Sequence, residues 1–297
     1  MVFPPVDPEH VQPPRRRFRG IPIRMLVPNL ITLLALCAGL TGIRMAVEGR
    51  LELALAAIVF AAALDGIDGR VARMIKGTSR FGAELDSLAD FVNFGVAPAL
   101  ILYFWDLQEL KSLGWIVAMV FAICAGLRLA RFNVAIDDPN KPAWAGNFFT
   151  GIPAPAGAIT VLLPIYLFFL GLPKGSGGAL TVITLIYTLF IALMMVSKVP
   201  VFSGKQLGTR VKPEWVLPIF LVVVLFVALL IAYPWEVLSV GTLLYLGVLP
   251  FGIKSARDYE RRDAAAASSA FATTSPDVVS ADASAGLGET LDPPSRP

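Results

Sequence analysis

Long apolar stretches separated by short polar segments make up most of this chain. A hydrocarbon core about 30 Å thick is crossed by roughly 20 apolar residues in a helix. Stretches of that length occur eight times, at residues 26–47, 51–72, 88–105, 114–131, 154–172, 178–197, 214–232 and 235–253. We therefore predict an all-α integral membrane protein with about eight transmembrane helices. The second and fourth stretches end in charged residues, and only Tyr233 and Pro234 separate the last two, so six or seven spans are the alternatives.

The composition excludes a soluble globular domain. Of the 297 residues, 56% are hydrophobic and 16% are charged, whereas soluble proteins usually carry about a quarter charged residues. Cys37 and Cys124 both lie inside apolar stretches, a placement that indicates buried thiols rather than a disulfide framework. The first residues lack the apolar core of a cleavable signal peptide, so we expect the first span to direct the chain to the membrane.

Lysines and arginines lie mainly at alternate ends of these stretches. Basic clusters precede the first stretch and follow the second, fourth, sixth and eighth, whereas the opposite ends hold mainly Arg44, Arg50, Lys111 and Lys174. The cytoplasmic loops of membrane proteins carry the excess of basic residues. The pattern therefore predicts eight spans with both termini in the cytoplasm, in the cell (inner or cytoplasmic) membrane.

The chain divides into three regions. Residues 1–24 form a basic N-terminal segment on the cytoplasmic side, and residues 25–260 form the transmembrane domain. We expect residues 261–297 to be a disordered cytoplasmic tail, because they have too little apolar surface to fold alone. The mixture of basic and apolar residues at 15–26 is typical of a segment that lies along anionic headgroups, and equally of an ordinary topogenic charge cluster.

Four aspartates occupy the cytoplasmic ends of the second and third stretches. Asp65 and Asp68 are three residues apart, and Asp86 and Asp90 are four apart, so on helices each pair lies on one face. A short loop joins the two stretches, which predicts antiparallel neighbours whose acidic faces meet. Four such carboxylates would repel one another, and a hard divalent cation such as Mg²⁺ or Mn²⁺ relieves that repulsion. The alternative is that these aspartates pair with nearby arginines and only anchor the helix ends.

The surroundings of the aspartates are suited to a phosphate ligand. Glycines permit close approach of a backbone or a bulky ligand, and they stand at Gly66, Gly69 and Gly82. Positive charge is supplied by Arg70, Arg73, Lys76 and Arg80. A metal ion together with arginine or lysine commonly holds a pyrophosphate and stabilises a transferring phosphoryl group. The sequence therefore favours metal-assisted chemistry on a phosphate ester.

The spacing of these residues resembles the signature of the CDP-alcohol phosphatidyltransferase family. The matching pattern reads Asp65-x2-Asp68-Gly69-x2-Ala72-Arg73-x8-Gly82-x3-Asp86-x3-Asp90. The resemblance implies two metal ions between the four aspartates, and Asp90 as the general base for the acceptor hydroxyl. The only histidine, His10, lies in the N-terminal segment, which leaves a carboxylate as the best base and disfavours a phosphohistidine route.

The same resemblance implies a CDP-linked lipid donor beside the metal. Its cytidine and pyrophosphate are expected around Gly69, Ala72, Arg73 and Gly82, and we add Ser79 to this donor site. Asn29 and Thr32, at the start of the first span, are assigned to the nucleotide or its phosphates. The alternative role for these two residues is to cap or pack the first span.

Further segments resemble the phosphatidylserine synthase branch of this family. They are Pro28–Thr32 and residues 87–99, 127–133 and 149–158. This resemblance implies transfer of a phosphatidyl group from CDP-diacylglycerol to L-serine, with release of CMP. It also leads us to expect a homodimer.

The carboxylate of serine is the feature that a binding site must recognise. A planar guanidinium suits it, and Arg128 and Arg131 share a helix face at the end of the fourth span. We assign both to serine binding, with Asn133 nearby and Asn93 one turn beyond Asp90. The alternative for the arginines is that they only snorkel to lipid headgroups.

Three other functions compete with this interpretation. A sibling enzyme would use glycerol 3-phosphate, choline or an inositol phosphate as acceptor. A cation transporter would use the aspartates as a translocation site, but such sites usually lie near the bilayer midplane, between repeated halves of the protein. A non-catalytic membrane scaffold would have no need of the complete signature. We expect the first of these to be the closest rival.

Overall fold

The computed structural model describes residues 23–75, 77, 79–136, 148–197, 200–202, 213–250 and 252. Helices make up nearly all of this part of the chain. They are α1 (Ile23–Val47), α2 (Leu51–Met74), α3 (Arg80–Asp90), α4 (Ala97–Trp105), α5 (Ser112–Ile136), α6 (Ala154–Val161), α7 (Leu163–Phe169), α8 (Ala179–Val196), α9 (Pro213–Ala232) and α10 (Pro234–Pro250). A π-helical turn, Phe91–Val96, joins α3 to α4, and a 3₁₀ turn, Leu107–Leu110, lies between α4 and α5.

Every predicted apolar stretch is mostly helical in the described residues. Within them, five helices are long and apolar enough to cross a membrane, namely Leu26–Val47, Arg80–Trp105, Ser112–Ala135, Ala179–Val196 and Glu214–Ala232. α2 is 24 residues long but carries Asp65 and Asp68, two of the four predicted site aspartates. The remaining apolar helices, Ala154–Phe169 and Pro234–Pro250, are shorter. The chain is thus an all-α multi-pass membrane protein in its main architecture.

Two predicted stretches differ in extent from the helices observed. The third stretch, expected from residue 88, is part of a helical run that begins at Arg80, because Ser79 caps α3 and its Oγ accepts from Gly82 N at 3.0 Å. Hydropathy alone does not predict residues 80–87, the more polar first part of this helical run. The fifth stretch, expected over 154–172, is divided at Leu162 and ends at Phe169.

A small sheet is the one departure from all-helical structure in the described residues. Strands β1 (Phe148–Thr150) and β2 (Pro200–Phe202) pair antiparallel, with Phe148 opposite Phe202 and Thr150 opposite Pro200. Each strand has three residues and lies outside the predicted apolar stretches. The pairing joins segments about 50 residues apart in the chain, which local patterning does not predict.

The helices fall into two compact units. The first unit contains the described residues up to Ala130 together with Ala154–Leu162 and Lys174–Ala192, and the second contains the described part of the rest. The predicted boundary between residues 24 and 25 falls in the first turn of α1. The predicted boundary between residues 260 and 261, and the proposed tail, lie outside the described residues.

Small side chains bring α1 and α2 close together in the first unit. Ala46 on α1 and Ala54 and Ala61 on α2 are buried, and a Cβ added to Gly42 would lie 3.2 Å from the carbonyl oxygen of Ala54. Small residues are typical of helix pairs that pack closely in membranes. α1 also contacts α3, the π-helical turn and α4. α1 is therefore the helix against which both acidic helices are positioned.

The second unit holds the small sheet and the last two helices. Trp235, near the start of α10, stacks on Phe169 at the end of α7, with ring centroids 4.5 Å apart. Arg131 Nη1 donates to the carbonyl oxygen of Val196 at 2.6 Å. The membrane-length part of α9, Glu214–Ala232, has no buried residue among those described. The sequence of α9 is apolar on all sides of the helix. This is expected of a helix that lipid surrounds.

Candidate functional site

Three of the four predicted aspartates converge where α2 and α3 meet. Asp65, Asp68 and Asp86 each offer one carboxylate oxygen, and these oxygens lie within 4.8 Å of one another. The i to i+3 spacing on α2 turns Asp65 and Asp68 to one side, and the cap at Ser79 starts α3 so that Asp86 faces them. The facing arrangement expected from the spacing is therefore present for these three residues.

Asp90 lies beside this group rather than in it. Its side chain is hydrogen-bonded to Asp65, and Arg128 is the cation whose charge acts on it. Two ionised carboxylates at hydrogen-bonding distance repel each other, so a proton or a cation is needed between them. Asp90 thus interacts with the acidic group through Asp65, and with the buried Arg128 on α5 through its charge.

The donor atoms of this group fit a hard divalent cation. All three members are carboxylates, and Mg²⁺ and Mn²⁺ prefer oxygen ligands. Asp68 is only 4% exposed, so its charge has little access to water. A cation bound among these oxygens would offset both the mutual repulsion and the desolvation. The chemistry of the site is therefore suited to a metal ion.

A cavity of about 210 Å³ adjoins the acidic group. Asp68 and Asp86 belong to both the group and the cavity wall. The wall also contains every residue that the sequence assigned to the donor, namely Asn29, Thr32, Gly69, Ala72, Arg73, Ser79 and Gly82. They come from α1, α2 and the start of α3, so the cavity is a place where three helices meet. The structure brings this predicted set together.

Three cavity residues were not predicted. They are Pro28, Gly77 and Ala83. The sequence contained a signal for Pro28, because this residue opens the Pro28–Thr32 segment that resembles the phosphatidylserine synthase branch. Gly77 lies in the short connection between α2 and α3, and Ala83 is apolar, so neither type of residue indicates chemistry by itself.

Gly82 stands at a close approach of α1 to α3. A Cβ added to Gly82 would lie 2.8 Å from Asn29 Oδ1 and 3.1 Å from Ser79 Oγ. A side chain there would push Asn29 out of its place in the cavity wall. Ser79 has a second role that the sequence analysis did not assign, since its Oγ is the N-cap acceptor for α3.

Thr32 reaches the acidic group directly. Its Oγ1 donates to Asp68 Oδ2 at 2.7 Å, linking α1 to α2. Lining the nucleotide site and packing span one were the two roles considered for this residue. A hydrogen bond to a member of the acidic group was not among them.

The residues assigned to serine lie in different surroundings. Arg128 is 7% exposed and its charge acts on Asp90. Asn93 is 1% exposed in the π-helical turn and lies outside the described cavity wall. Its Oδ1 faces Gly39 on α1 and has no hydrogen-bond partner among the described residues. Arg131 and Asn133 belong to the second unit, where Arg131 binds the Val196 carbonyl.

The sequence is similar to that of known proteins over most of its length. Residues 25–194 match the family described as CDP-alcohol phosphatidyltransferase, and residues 214–250 match CDP-alcohol phosphatidyltransferase 2. A protein of Mycobacterium tuberculosis (strain ATCC 25618 / H37Rv) named CDP-diacylglycerol--serine O-phosphatidyltransferase is 40% identical over 245 residues, which cover 82% of this chain and 83% of that protein.

Two more distant bacterial and archaeal proteins are similar over shorter segments. A Helicobacter pylori (strain J99 / ATCC 700824) protein with the same name is 36% identical over 225 residues, which cover 74% of this chain and 88% of that protein. The archaetidylserine synthase of Methanothermobacter thermautotrophicus is 34% identical over 140 residues, which cover 46% of this chain and 55% of that protein. Serine occurs in the names of all three relatives, in the first two as the substrate and in the third as part of the product.

Proposed function

This chain belongs to the CDP-alcohol phosphatidyltransferase family, and on that premise we propose that it transfers the phosphatidyl group of CDP-diacylglycerol to L-serine. The products are phosphatidylserine and CMP. The relatives named for serine transfer support the acceptor, since they cover most of this chain. The observation that carries the proposal is the convergence of Asp65, Asp68 and Asp86 beside a cavity lined by the signature residues.

The proposed site holds two divalent cations, Mg²⁺ or Mn²⁺, with Asp65, Asp68, Asp86 and Asp90 as their ligands. When bound, such cations neutralise the pyrophosphate of the donor and stabilise the charge on the departing CMP phosphate. The oxygen donors of Asp65, Asp68 and Asp86 already lie close enough together to share a cation.

The cavity residues hold the donor in this proposal. The assigned set is Asn29, Thr32, Gly69, Ala72, Arg73, Ser79 and Gly82, all of which line the cavity. Arg73 contributes positive charge to the phosphates, because its guanidinium can donate two parallel bonds to phosphate oxygens. Gly69 contributes space, since a Cβ added there would meet no described heavy atom within 4 Å.

Asp90 and the residues near it handle the acceptor. Asp90 takes the proton from the serine hydroxyl as that oxygen attacks the phosphorus that carries diacylglycerol. The bond from this phosphorus to the CMP oxygen breaks, and CMP leaves with the electron pair. Arg128 holds the serine carboxylate, a role supported by its burial and by its charge acting on Asp90. Asn93 remains a further candidate for this part of the site, and Arg131 and Asn133 stay candidates from the sequence alone.

The proposed topology has eight spans with both termini in the cytoplasm, in the cell (inner or cytoplasmic) membrane. The alternation of basic clusters supports it. The active site then faces the cytoplasm, and residues 25–260 form the transmembrane domain. We retain the homodimer as part of this proposal, from family resemblance alone.

An acceptor assay tests the proposed reaction. The full-length protein in membranes or detergent is given CDP-diacylglycerol, Mn²⁺ or Mg²⁺, and each labelled acceptor in turn: L-serine, glycerol 3-phosphate, choline and an inositol phosphate. We expect a labelled lipid and CMP with serine, and neither product after the metal is chelated. If glycerol 3-phosphate yields lipid and serine does not, the acceptor is wrong.

A further inference from the structure

The hydroxyl of Thr32 has two acceptors within reach but a single proton. It lies 2.7 Å from Asp68 Oδ2 and 3.1 Å from the carbonyl oxygen of Pro28. Hydrogen bonds to an ionised acceptor are shorter and stronger than those between neutral groups. The proton is therefore directed mainly to Asp68.

Both partners of this bond are buried. Thr32 is 5% exposed and Asp68 is 4% exposed. Loss of the hydroxyl would withdraw a donor from a buried carboxylate, at a place that water reaches poorly. The bond therefore restrains the rotation of the Asp68 side chain.

This restraint comes from outside the acidic group. Asp65, Asp68 and Asp86 lie on α2 and α3, whereas Thr32 lies on α1. Three crowded carboxylates tend to rotate away from one another unless other groups hold them. Residues that hydrogen-bond metal ligands orient them for the ion, and their loss commonly lowers metal affinity about 10- to 100-fold.

We infer that Thr32 is a positioning residue that orients the Asp68 carboxylate towards a divalent cation. This role is separate from the contact with the donor that its place in the cavity wall implies. The inference rests on the proposed metal-dependent function, but it concerns affinity for the cation rather than the identity of the acceptor.

Two substitutions isolate the hydroxyl. Thr32→Val keeps the shape of the side chain and removes the donor, whereas Thr32→Ser keeps the donor and removes a methyl group. Thr41→Val is the matched control on α1, because the exposed Thr41 makes a similar bond to a carbonyl four residues earlier, from Oγ1 to Cys37 O at 2.7 Å. The control removes such a bond without touching the acidic group.

The test measures Mn²⁺ binding first and activity second. Free Mn²⁺ is quantified by electron paramagnetic resonance with the full-length protein in detergent, and CMP release is then recorded against Mn²⁺ concentration. We expect Thr32→Val to raise both the Kd for Mn²⁺ and the half-saturating Mn²⁺ concentration by about 10- to 100-fold. Thr41→Val should stay close to the wild-type protein, and Thr32→Ser should restore most of the Mn²⁺ affinity that Thr32→Val loses.

Wild-type Mn²⁺ binding by Thr32→Val overturns the inference. A rise in the KM for CDP-diacylglycerol with unchanged Mn²⁺ binding also overturns it, because the hydroxyl then acts only on the donor. Should Thr32→Val fail to fold, Thr32→Ala measured against Thr32→Ser gives the same comparison. If Thr32→Val weakens Mn²⁺ binding as expected but the wild-type protein releases no CMP with serine, the proposed function is contradicted and the inference stands.

Discussion

Gly69 and Gly82 belong to the same sequence motif but stand in different surroundings. A Cβ on Gly82 would collide with Asn29, whereas one on Gly69 would meet no described heavy atom within 4 Å. Gly82 is therefore explained by helix packing, and Gly69 by open space at the cavity wall. The aspartates also differ in their surroundings. Asp68 accepts a hydrogen bond from Thr32, whereas Asp90 interacts with Asp65 and Arg128.

The position of Asp90 leads to a prediction for the base. Asp90→Asn keeps the size of the side chain but removes its ability to take a proton from serine. We expect CMP release to fall by roughly 10² to 10⁴-fold, the range for loss of a general base. The measurement is the initial rate of CMP release at saturating Mn²⁺, with the amount of membrane-inserted protein held equal.

Glu84→Gln is the control for this substitution. Glu84 is exposed on the same helix, α3, and the change also neutralises one acid. It should leave the rate unchanged. Full activity in Asp90→Asn would remove Asp90 as the base.

At the scale of elements, the π-helical turn Phe91–Val96 begins directly after Asp90. π-Helical turns inside longer helices often occur at functional sites. Here the Phe91 ring fits against two glycines: a Cβ on Gly126 of α5 would lie 3.1 Å from Phe91 Cε2, and one on Gly95 would lie 3.3 Å from Phe91 Cδ2. The small residues thus allow the ring, and with it the start of the turn, to pack against α5.

Filling this space should disturb Asp90 through its neighbour. Gly126→Ala forces the Phe91 ring to move, and overpacking of this kind typically costs about 1–3 kcal/mol. Because a displacement of about 1 Å can lower a rate by roughly 10²-fold, we expect kcat to fall by about tenfold or more.

The matched control is Gly241→Ala on α10. A Cβ there would meet no described heavy atom within 4 Å, in a helix that is also apolar. This variant should keep the wild-type kcat. Equal loss in both variants would mean that alanine in the membrane helices, rather than the Phe91 contact, lowers the rate.

At the scale of the whole molecule, the two ends of α2 differ in their basic residues, and this difference predicts which end faces the cytoplasm. Arg50, before α2, belongs to the sparse set of basic residues, whereas Arg80, after it, belongs to a basic cluster beside the acidic group. If α2 crosses the bilayer, the two side chains lie on opposite faces of the membrane. The proposed topology places Arg80 and the active site in the cytoplasm.

Cysteine labelling tests this orientation. In a protein in which Cys37 and Cys124 are replaced by alanine, Arg50→Cys and Arg80→Cys each introduce one thiol at an exposed position. With a membrane-impermeant maleimide on intact spheroplasts, we expect Arg50→Cys to react and Arg80→Cys to react only after permeabilisation. The reverse pattern would invert the topology, and labelling of both would argue against α2 as a span.

Much of the candidate site could be predicted from sequence because the helical repeat is local. Spacings of three and four residues place Asp65 with Asp68, and Asp86 with Asp90, whatever surrounds them. A short connection between two helices makes them neighbours, so the meeting of Asp86 with the α2 pair was also predictable. Four of the donor residues followed from the family motif, and Asn29, Thr32 and Ser79 were assigned beside it. The cavity contains all seven.

The orientation of individual polar groups depended on contacts between helices. Asn93 is one turn from Asp90 in sequence, and only the structure shows that its Oδ1 faces Gly39 on α1. The strand pair β1–β2 and the interruption at Leu162 are likewise absent from the hydropathy pattern. Each of these features depends on a partner distant in the chain or on a departure from regular helix.

The sequence by itself determined that this chain is a helical membrane protein with four aspartates spaced for a cation, since apolar length and helical period act locally. Only the tertiary structure decided which side chain holds which aspartate. Thr32 is 36 residues from Asp68, and no periodicity relates them. Their bond exists because small residues let α1 and α2 pack closely enough for a hydroxyl to reach a carboxylate.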